Sequence, residues 1–221
     1  MNVKEQFNCL ATRYPTIKKK NSYYYENLIN QISSHITAPN DPILEIGCGT
    51  GGILNNISKV PGTGIDISDK MIEEAKKLYP QHTFICEKIE KLTIENSFST
   101  IIMADVVEYI KDLNITFNNI YSLLRKDGTL IITTPNPSWR YILSTATILR
   151  LKMNDKHSKP PHPNKIISAA TQNKMKLISF STHLHVPKYT IISTWLNAYI
   201  KKKSLLTNFG LIMKFTFKRI D

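Results

Sequence analysis

The sequence predicts an α/β fold, in which a parallel sheet is covered by helices on both faces. Short apolar runs typical of buried strands alternate with stretches at helical spacing from about residue 40 onward. A glycine-rich run follows the first of these strands and precedes a predicted helix. Strands joined through helices pair in parallel by right-handed crossovers, which places helices on the two faces of the sheet.

The individual elements follow in a regular order. Residues 1–37 are predicted to be helical, because apolar residues recur at helical spacing between positions 28 and 36. The predicted strands are residues 42–47, 62–67, 82–86, 99–104, 128–134, 174–184 and 208–220. The predicted helices between them are residues 50–59, 69–79, 114–124 and 164–172. Asp69 is expected to cap the second of these helices, and the proline-rich residues 135–163 predict an insertion.

The composition excludes several classes of protein. With 42% hydrophobic and 21% charged residues, most of the chain of 221 residues is predicted to be ordered. No apolar run reaches the roughly 18 residues of a membrane-spanning helix, and the first residues lack the apolar stretch of a signal peptide. Cys9, Cys48 and Cys86 form no CxxC pair. We therefore expect a cytoplasmic protein without a disulfide framework and without a metal site.

The net charge of +12 is concentrated towards the C-terminus. The entire excess of positive charge lies beyond residue 137. This part of the sequence has two acidic residues, Asp155 and Asp221. A solvated basic face explains this distribution, and so does attraction to an anionic partner. That partner stays open at this point: a phosphorylated substrate, an acidic membrane surface or nucleic acid.

Residues 47–52 read Gly-Cys-Gly-Thr-Gly-Gly and carry the first chemical signal. Glycines let the backbone turn sharply and approach a ligand closely, and a helix start offers free N–H groups. The run matches the dinucleotide pattern GxGxxG, and it equally matches GxGxG. Neighbouring residues must therefore decide which ligand the loop binds.

Two carboxylates beside this loop indicate which kind of ligand it binds. Glu45 stands two residues before Gly47, where it would repel a pyrophosphate and suit an ammonium group. Asp66 ends the second predicted strand, where an acceptor can bind both hydroxyls of a ribose. An ammonium and a ribose without a pyrophosphate describe S-adenosyl-L-methionine better than NAD, so we predict S-adenosyl-L-methionine as the cofactor.

Five motifs, ILEIGCGTGG, GIDIS, VVEYI, LLRKDGTLIITTPN and FKRI, occur in this order along the chain. In order and spacing the sequence resembles the class I S-adenosylmethionine-dependent methyltransferases, well over residues 40–135 and weakly beyond. The resemblance implies a Rossmann-like, mostly parallel sheet of seven strands whose last strand is antiparallel. It also implies a helical lid at residues 1–37 and a methyltransferase domain at residues 38–221, with a basic, apolar insertion at about 135–163.

The resemblance further assigns roles to residues at the strand ends. It implies that the glycine loop holds the methionine part of the cofactor, with Glu45 near its amino group. Asp66 would hold the ribose, and Ile67 would flank the adenine. In the N-terminal helices, Tyr14 or Tyr24 would lie over the cofactor.

The position after the third strand departs from the family pattern. Family members carry an acidic residue there, where Lys88 stands in this sequence. Adenine contacts are then expected from Glu87 or from the backbone of Lys88 and Ile89. The predicted cofactor-binding residues are Glu45, Gly47, Cys48, Gly49, Gly51, Asp66, Ile67, Glu87, Lys88, Ile89, Ala104 and Tyr14.

Within the family the sequence looks most like the ubiquinone-type O-methyltransferases and methyltransferases encoded beside glycosyltransferases. These relatives read LEH after the fourth strand, where Tyr109 replaces the histidine here. We therefore predict methyl transfer to a small-molecule or lipid-linked acceptor, at oxygen. An oxygen acceptor of high pKa needs a general base. Tyr109 and His162 are the candidate catalytic residues, the latter because it lies between prolines where the acceptor should enter.

Three other functions stay open. The basic C-terminal third fits a nucleic-acid methyltransferase, but no base-flipping tetrapeptide such as NPPY occurs, so nucleic acid is not the expected partner. An NAD-dependent oxidoreductase fits the glycine pattern but not Glu45. Departures from the family at Lys88, Ser99 and Tyr109 also fit a protein that binds the cofactor without catalysis.

The insertion predicts either a substrate lid or a peripheral contact with an anionic membrane. Its apolar residues alternate with basic ones between Trp139 and Lys152, and the triplet Lys201-Lys202-Lys203 adds to the charge. A helix that packs its apolar side on the core and turns its basic side outward explains the same pattern.

Overall fold

The computed structural model describes residues 1–36, 38–92, 94, 97–141, 157–184 and 209–220. Its centre is a sheet of seven strands in the order β3-β2-β1-β4-β5-β7-β6. The strands are β1 (Ile43–Ile46), β2 (Thr63–Asp66), β3 (Thr83–Cys86), β4 (Phe98–Ala104), β5 (Leu124–Pro135), β6 (Met175–His183) and β7 (Ile212–Arg219). Neighbours among β1 to β5 are parallel, whereas β7 is antiparallel to both β5 and β6. The predicted sheet, with its antiparallel last strand, is confirmed.

Helices lie on both faces of this sheet. They are α1 (Val3–Leu10), α2 (Tyr14–Lys20), α3 (Ser22–Ser33), α4 (Gly52–Ile57), α5 (Asp69–Leu78), α6 (Leu113–Leu123) and α7 (Pro163–Gln172). Phe117 of α6 and Ile166 of α7 belong to one buried cluster. Leu28 of α3, Leu54 of α4 and Ile72 of α5 belong to another. Successive residues of β4 alternate between the two clusters, so the helices enclose the sheet from opposite sides.

The start of α5 differs from the prediction. The cap is Ser68, whose Oγ accepts a hydrogen bond from the Met71 amide at 3.1 Å. A serine hydroxyl at this position reaches the amide three residues on, which is the usual capping geometry. Asp69 is the first helical residue instead, and its carboxylate accepts hydrogen bonds from Lys4 at 2.8 Å and Asn8 at 3.1 Å. Asp69 therefore holds α1 against α5.

The helix after the glycine run is also shorter than predicted. Gly51 has φ +78°, in the left-handed region, so α4 begins one residue later. Ser58 is extended, with φ −90° and ψ 130°, and ends the helix after Ile57. Residues 50 and 51, predicted to be helical, therefore belong to the glycine loop instead.

The strand order positions the functional site. From β1 the chain crosses to β2 and β3 on one side, and then to β4 and β5 on the other. The loops that leave β1 and β4 diverge, and open α/β sheets bind ligands in the crevice between such loops. Gly47 after β1 and Asp105 after β4 lie at this edge.

Large parts of the predicted insertion and of the C-terminal basic region lie outside the described residues. These parts are residues 142–156 and 185–208, so the predicted membrane-facing segment and Lys201–Lys203 stay predictions. Trp139, in the described part, is buried and donates a hydrogen bond to the carbonyl of Phe209 at 2.8 Å. None of the helices in the described ranges is long and apolar enough to cross a membrane.

Candidate cofactor and acceptor site

A cavity of about 480 Å³ lies at the carboxyl ends of β1, β2 and β4. Its floor is the glycine loop and the strand ends, and α1 to α3 contribute side chains to its cover. Every predicted cofactor-binding residue except Gly51 lines this cavity, and so does Tyr109. The strand-end residues chosen from the sequence are thus brought together in one place.

The glycines of the loop are required by backbone conformation and by close contacts. Gly47, Gly49 and Gly51 have φ values of +71°, +53° and +78°. A Cβ atom at Gly47 would lie 2.1 Å from Cγ2 of Val106. The loop is tied to β2, because the amides of Gly47 and Cys48 both donate to the carbonyl of Ile65, at 2.7 and 3.0 Å. Because these glycines have no side chains, a ligand in the cavity can approach the backbone of the loop closely.

Gly51 supports the loop from behind. A Cβ atom there would lie 2.6 Å from Cζ of Phe84 and 2.9 Å from its Cε1. Phe84 is buried on β3, so the ring has little freedom to move away. Gly51 therefore shapes the loop without lining the cavity.

Glu45 is a buried carboxyl at the end of β1. Only 1% of its surface is exposed, and its Oε2 accepts a hydrogen bond from the Leu54 amide at 2.9 Å. Burial raises the pKa of Glu45 to about 8, and the nearby Lys18 ammonium opposes that shift. A buried carboxyl that lines a cavity is suited to pairing with a cationic group of a ligand.

Asp66 is held by backbone amides on both sides. Its Oδ2 accepts from the Gly49 amide at 2.9 Å, and its Oδ1 accepts from the Ser68 amide at 2.8 Å. Burial raises the pKa of Asp66, while these two amides lower it. A carboxylate offers about four lone-pair sites, so both oxygens can still accept hydroxyl donors from the cavity.

The predicted adenine side forms another wall of the cavity. Ile67, Glu87, Lys88 and Ile89 all line it. The Lys88 amide donates to the Glu87 carboxylate at 2.8 Å, and Ile89 is buried, with 4% of its surface exposed. This wall therefore combines an apolar side chain with a carboxylate, a combination that suits a purine ring with an exocyclic amine.

The N-terminal helices place a cation inside the cavity. The Nζ atom of Lys18 lies 5.1 Å from the ring centroid of Tyr14 and 5.0 Å from that of Tyr25. Burial lowers the pKa of Lys18, whereas Glu45 and further carboxylates raise it. Aromatic faces and carboxylates together stabilise a cation in this part of the cavity. Lys18 and Tyr25 were not predicted from the sequence as site residues.

Asp105 is a further residue of the cavity that the sequence interpretation missed. It follows β4 directly, lines the cavity and has φ +55°. The hydroxyl of Tyr24 on α3 donates to its Oδ2 at 2.6 Å. The sequence predicts either Tyr24 or Tyr14 over the cofactor. Of the two, Tyr14 packs against the glycine loop: a Cβ atom added to Gly49 would lie 3.3 Å from Cε1 of Tyr14.

The two predicted catalytic residues lie in different places. Tyr109 lines the cavity and packs edge-on against Phe7 of α1, with ring centroids 5.5 Å apart. His162 is exposed and caps α7, where its Nδ1 accepts from the Asn164 amide at 3.3 Å. It is not part of the cavity wall and stands at the start of α7 instead.

A Rossmann-like sheet with a glycine loop and carboxylates after β1 and β2 defines the S-adenosylmethionine-dependent methyltransferase class. A family model described as "Methyltransferase domain" matches residues 37–197 of the sequence. The chain belongs to this methyltransferase family. The match confirms the predicted class and, with it, the predicted cofactor.

Curated relatives share this domain. A malonyl-[acyl-carrier protein] O-methyltransferase of Priestia megaterium is 33% identical over 138 residues, which are 60% of this chain and 50% of that protein. A ubiquinone biosynthesis O-methyltransferase of Coxiella burnetii is 26% identical over 172 residues, which are 71% of this chain and 73% of that protein. The chain thus spans about half the length of the Priestia relative.

A solved structure shows the same fold. The N-methyltransferase NodS of Bradyrhizobium japonicum, in complex with S-adenosyl-L-homocysteine, matches with a TM-score of 0.70. The two chains are 14% identical, and the match covers 100% of each. None of these comparisons supports the predicted membrane contact, which stays a prediction.

Proposed function

We propose that this chain transfers a methyl group from S-adenosylmethionine to an oxygen atom of a small-molecule acceptor. The observation that carries the proposal is the cavity itself. Its walls carry a cation close to carboxylates and aromatic rings, together with the edge-on pair of Phe7 and Tyr109. Both curated relatives described above are O-methyltransferases by name, which supports oxygen as the accepting atom.

The residues present fit the cofactor. The Lys18 ammonium stands in for a ligand cation, since Tyr14, Tyr25 and the nearby Glu45 already stabilise positive charge there. Glu45 would bind the amino group and Asp66 the ribose hydroxyls. When bound, S-adenosylmethionine supplies a methyl group on a sulfonium that carries its own leaving group.

The N-terminal helices also contribute aromatic rings against which we expect the acceptor to bind. Phe7 contacts Tyr14 edge-on with centroids 6.4 Å apart, and it contacts Tyr109 in the same way. This row of three rings is suited to an apolar or aromatic acceptor and excludes water from the transfer. We propose that residues 1–37 act as a lid, because side-chain contacts attach them to the loops around the cavity. The acceptor can be a free molecule or one linked to a lipid or a carrier.

Matched acceptors test the proposal. The purified full chain is incubated with S-adenosylmethionine carrying a labelled methyl group and with 4-propylphenol, 4-propylbenzoate or 4-propylaniline. These probes share one apolar ring and differ in the accepting atom. We expect label on oxygen, as an ether or an ester identified by mass spectrometry. Methylation of the aniline alone, or of none of the three, would contradict the proposal.

A variant without the ribose-binding carboxylate controls for background transfer. Asp66→Ala should weaken cofactor binding at least tenfold and slow transfer at cofactor concentrations below saturation, because the hydroxyls of the ribose lose their acceptor. Transfer that stays at the wild-type rate under these conditions would indicate a contaminating enzyme, uncatalysed methylation or a wrong assignment of the ribose site.

A further inference from the structure

We propose that Asp105 and Tyr24 activate the acceptor, and that the acceptor is therefore a hydroxyl compound and not a carboxylate. This proposal rests on the proposed methyl transfer to oxygen. It goes further by naming the group that takes the proton and the chemical class that donates it. Neither residue was predicted from the sequence to take part in proton transfer.

The position of Asp105 is unusual for a residue other than glycine. It has φ +55° and stands between Ala104 and Val106, which line the same cavity. Its amide donates to the carbonyl of Thr133 at 3.0 Å, which ties the turn to β5. Aspartate tolerates this region better than most residues. A strained backbone at a cavity wall is typical of residues that function there.

Tyr24 fixes the carboxylate from the side of the helices. Its hydroxyl donates to Oδ2 of Asp105 at 2.6 Å, a short bond typical of an ionised acceptor. Burial, and then Asp105, raise the pKa of Tyr24 well above 10, so the phenol keeps its proton. The ring of Tyr24 packs edge-on against Tyr25 with centroids 5.4 Å apart, which limits its rotation. Asp105 is thus the proton acceptor, and Tyr24 is a positioning residue.

The chemistry of a hydroxyl acceptor matches this pair. The acceptor hydroxyl donates its proton to a carboxylate oxygen of Asp105 while its oxygen forms the new bond to the methyl carbon. The bond between methyl and sulfur breaks, and its electron pair remains on sulfur as a neutral thioether. Asp105 then releases the proton to water. General base assistance of this kind contributes about 10²–10⁴ in rate.

A carboxylate acceptor fits the same surroundings less well. It has no proton to transfer at neutral pH, so it gains nothing from a base. To occupy the same position it would also have to bring its own negative charge next to the carboxylate of Asp105. Like charges at short range disfavour each other, most of all away from water.

Two variants and a matched control test the proposal. Asp105→Asn keeps a side chain that tolerates φ +55° and removes the base. Tyr24→Phe keeps the ring and removes the donor. Tyr23→Phe, on the same helix and outside the cavity wall, is the control. Calorimetry with S-adenosylmethionine measures cofactor binding in each protein, and kcat is measured with 4-propylphenol and with a nitrophenol.

We expect cofactor affinity to stay within threefold in all variants. For 4-propylphenol, kcat should fall by about 10²–10⁴ in Asp105→Asn, by less in Tyr24→Phe, and not at all in Tyr23→Phe. For the nitrophenol, which is already ionised near neutral pH, Asp105→Asn should retain most of its kcat. A merely structural defect would lower both rates equally.

The pH profile separates the role of Tyr24 from packing. Loss of its hydroxyl removes a donor that favours the ionised carboxylate, so the acidic limb of kcat should shift to higher pH in Tyr24→Phe. The other titratable groups that interact with this carboxylate are Tyr14, Lys18 and Tyr25, while Glu108 interacts with Tyr24. All four are kept in this variant.

The outcomes separate this proposal from the proposed function. If the wild-type protein methylates the phenol and Asp105→Asn does so equally well, methyl transfer to oxygen stands and the role of Asp105 is wrong. If Asp105→Asn loses cofactor binding, the carboxylate belongs to the cofactor site, which also overturns the proposal. Preference of the wild-type protein for 4-propylbenzoate over 4-propylphenol would refute the hydroxyl class while leaving oxygen transfer intact. Failure with every oxygen acceptor would refute both proposals.

Discussion

The sheet edge and the N-terminal helices form the two halves of the cavity and are held by different forces. At the sheet edge, Glu45 and Asp66 accept hydrogen bonds from backbone amides at 2.8–2.9 Å. The helices are attached mostly through side chains, such as Tyr24 on Asp105 and Lys4 on Asp69. The sheet edge is thus a fixed receptor, whereas the helices can be released without breaking any strand pairing.

This difference has a functional meaning. A cofactor with charged and polar groups needs acceptors that do not move, and backbone amides provide them. An acceptor must enter and a product must leave, and that requires a cover held by contacts of lower energy. The following experiments test whether the two halves differ in this way.

The largest effect is expected from the sheet edge. Asp66→Ala removes the carboxylate that would bind the ribose hydroxyls, and hydrogen bonds to a charged group contribute about 1.5–3 kcal/mol each. Calorimetric titration with S-adenosylmethionine should therefore show an affinity at least tenfold lower. Asp66→Asn keeps the shape and one acceptor, so its loss should be smaller. An unchanged affinity in Asp66→Ala would show that this carboxylate does not hold the cofactor.

The second-largest effect is expected from the contact that attaches α3 to β7. Lys214 of β7 is buried, and its Nζ donates to the carbonyl and the Oε1 of Gln31 at 3.2 and 3.3 Å and contacts Nδ1 of His35 at 3.0 Å. Lys214→Met should lower the free energy of unfolding by about 1–3 kcal/mol, since these acceptors lose their partner. Urea denaturation measures this change.

A second lysine of the same strand gives the control. Lys218 is exposed and pairs with Asp127 at 3.3 Å. Lys218→Met should change the free energy of unfolding by less than about 0.5 kcal/mol, as is usual for surface positions. Equal effects of the two substitutions would mean that Lys214 does not anchor α3.

The sheet edge was predictable from the sequence because it depends on local pattern. Glu45 and Asp66 follow from the apolar strands that end at them, and register fixes their neighbours, with Glu45 opposite Gly64 and Asp66 opposite Cys86. The glycine run marks the turn by itself. No distant contact is needed to place these residues at the same end of a parallel sheet.

The helical half was less predictable because it depends on how the helices are rotated against the sheet. Lys18 reads as one member of the basic run 18–20, and Tyr24 as one of three consecutive tyrosines. A usable signal exists for Tyr24, since it precedes the buried Leu28 by four residues and shares its face of α3. Asp105 carried a signal too, as a carboxylate directly after a buried strand.

The raised pKa of Glu45 gives the third prediction. Below about pH 8 the cofactor-free protein keeps this carboxyl protonated, so binding of an ammonium group must release a proton. We expect the affinity for S-adenosylmethionine to rise with pH up to about 8 and then to level off. The rise should be at most tenfold per pH unit, which corresponds to about 1.4 kcal/mol of binding free energy. Calorimetry in buffers of different ionisation enthalpy measures the released proton.

Stability should change in the opposite direction. The folded pKa of Glu45, about 8, lies above its ordinary value of 4.5, so the folded state holds a proton that the unfolded chain has lost. The stability of the cofactor-free protein should therefore fall as pH rises from about 4.5 to about 8. Glu45→Gln keeps an acceptor for the Leu54 amide and should flatten both profiles. Profiles that match the wild type would assign the titration to another group.

The smallest effect is expected at His162, the residue that the sequence placed at the acceptor entrance. It caps α7 through Nδ1 and does not line the cavity. His162→Ala should leave kcat with 4-propylphenol within twofold and lower the free energy of unfolding by less than about 1 kcal/mol, because only a cap is lost. His162→Asn restores a cap and should restore the stability. If both variants lost activity, the acceptor would enter beside α7, and the cover would extend beyond α1 to α3.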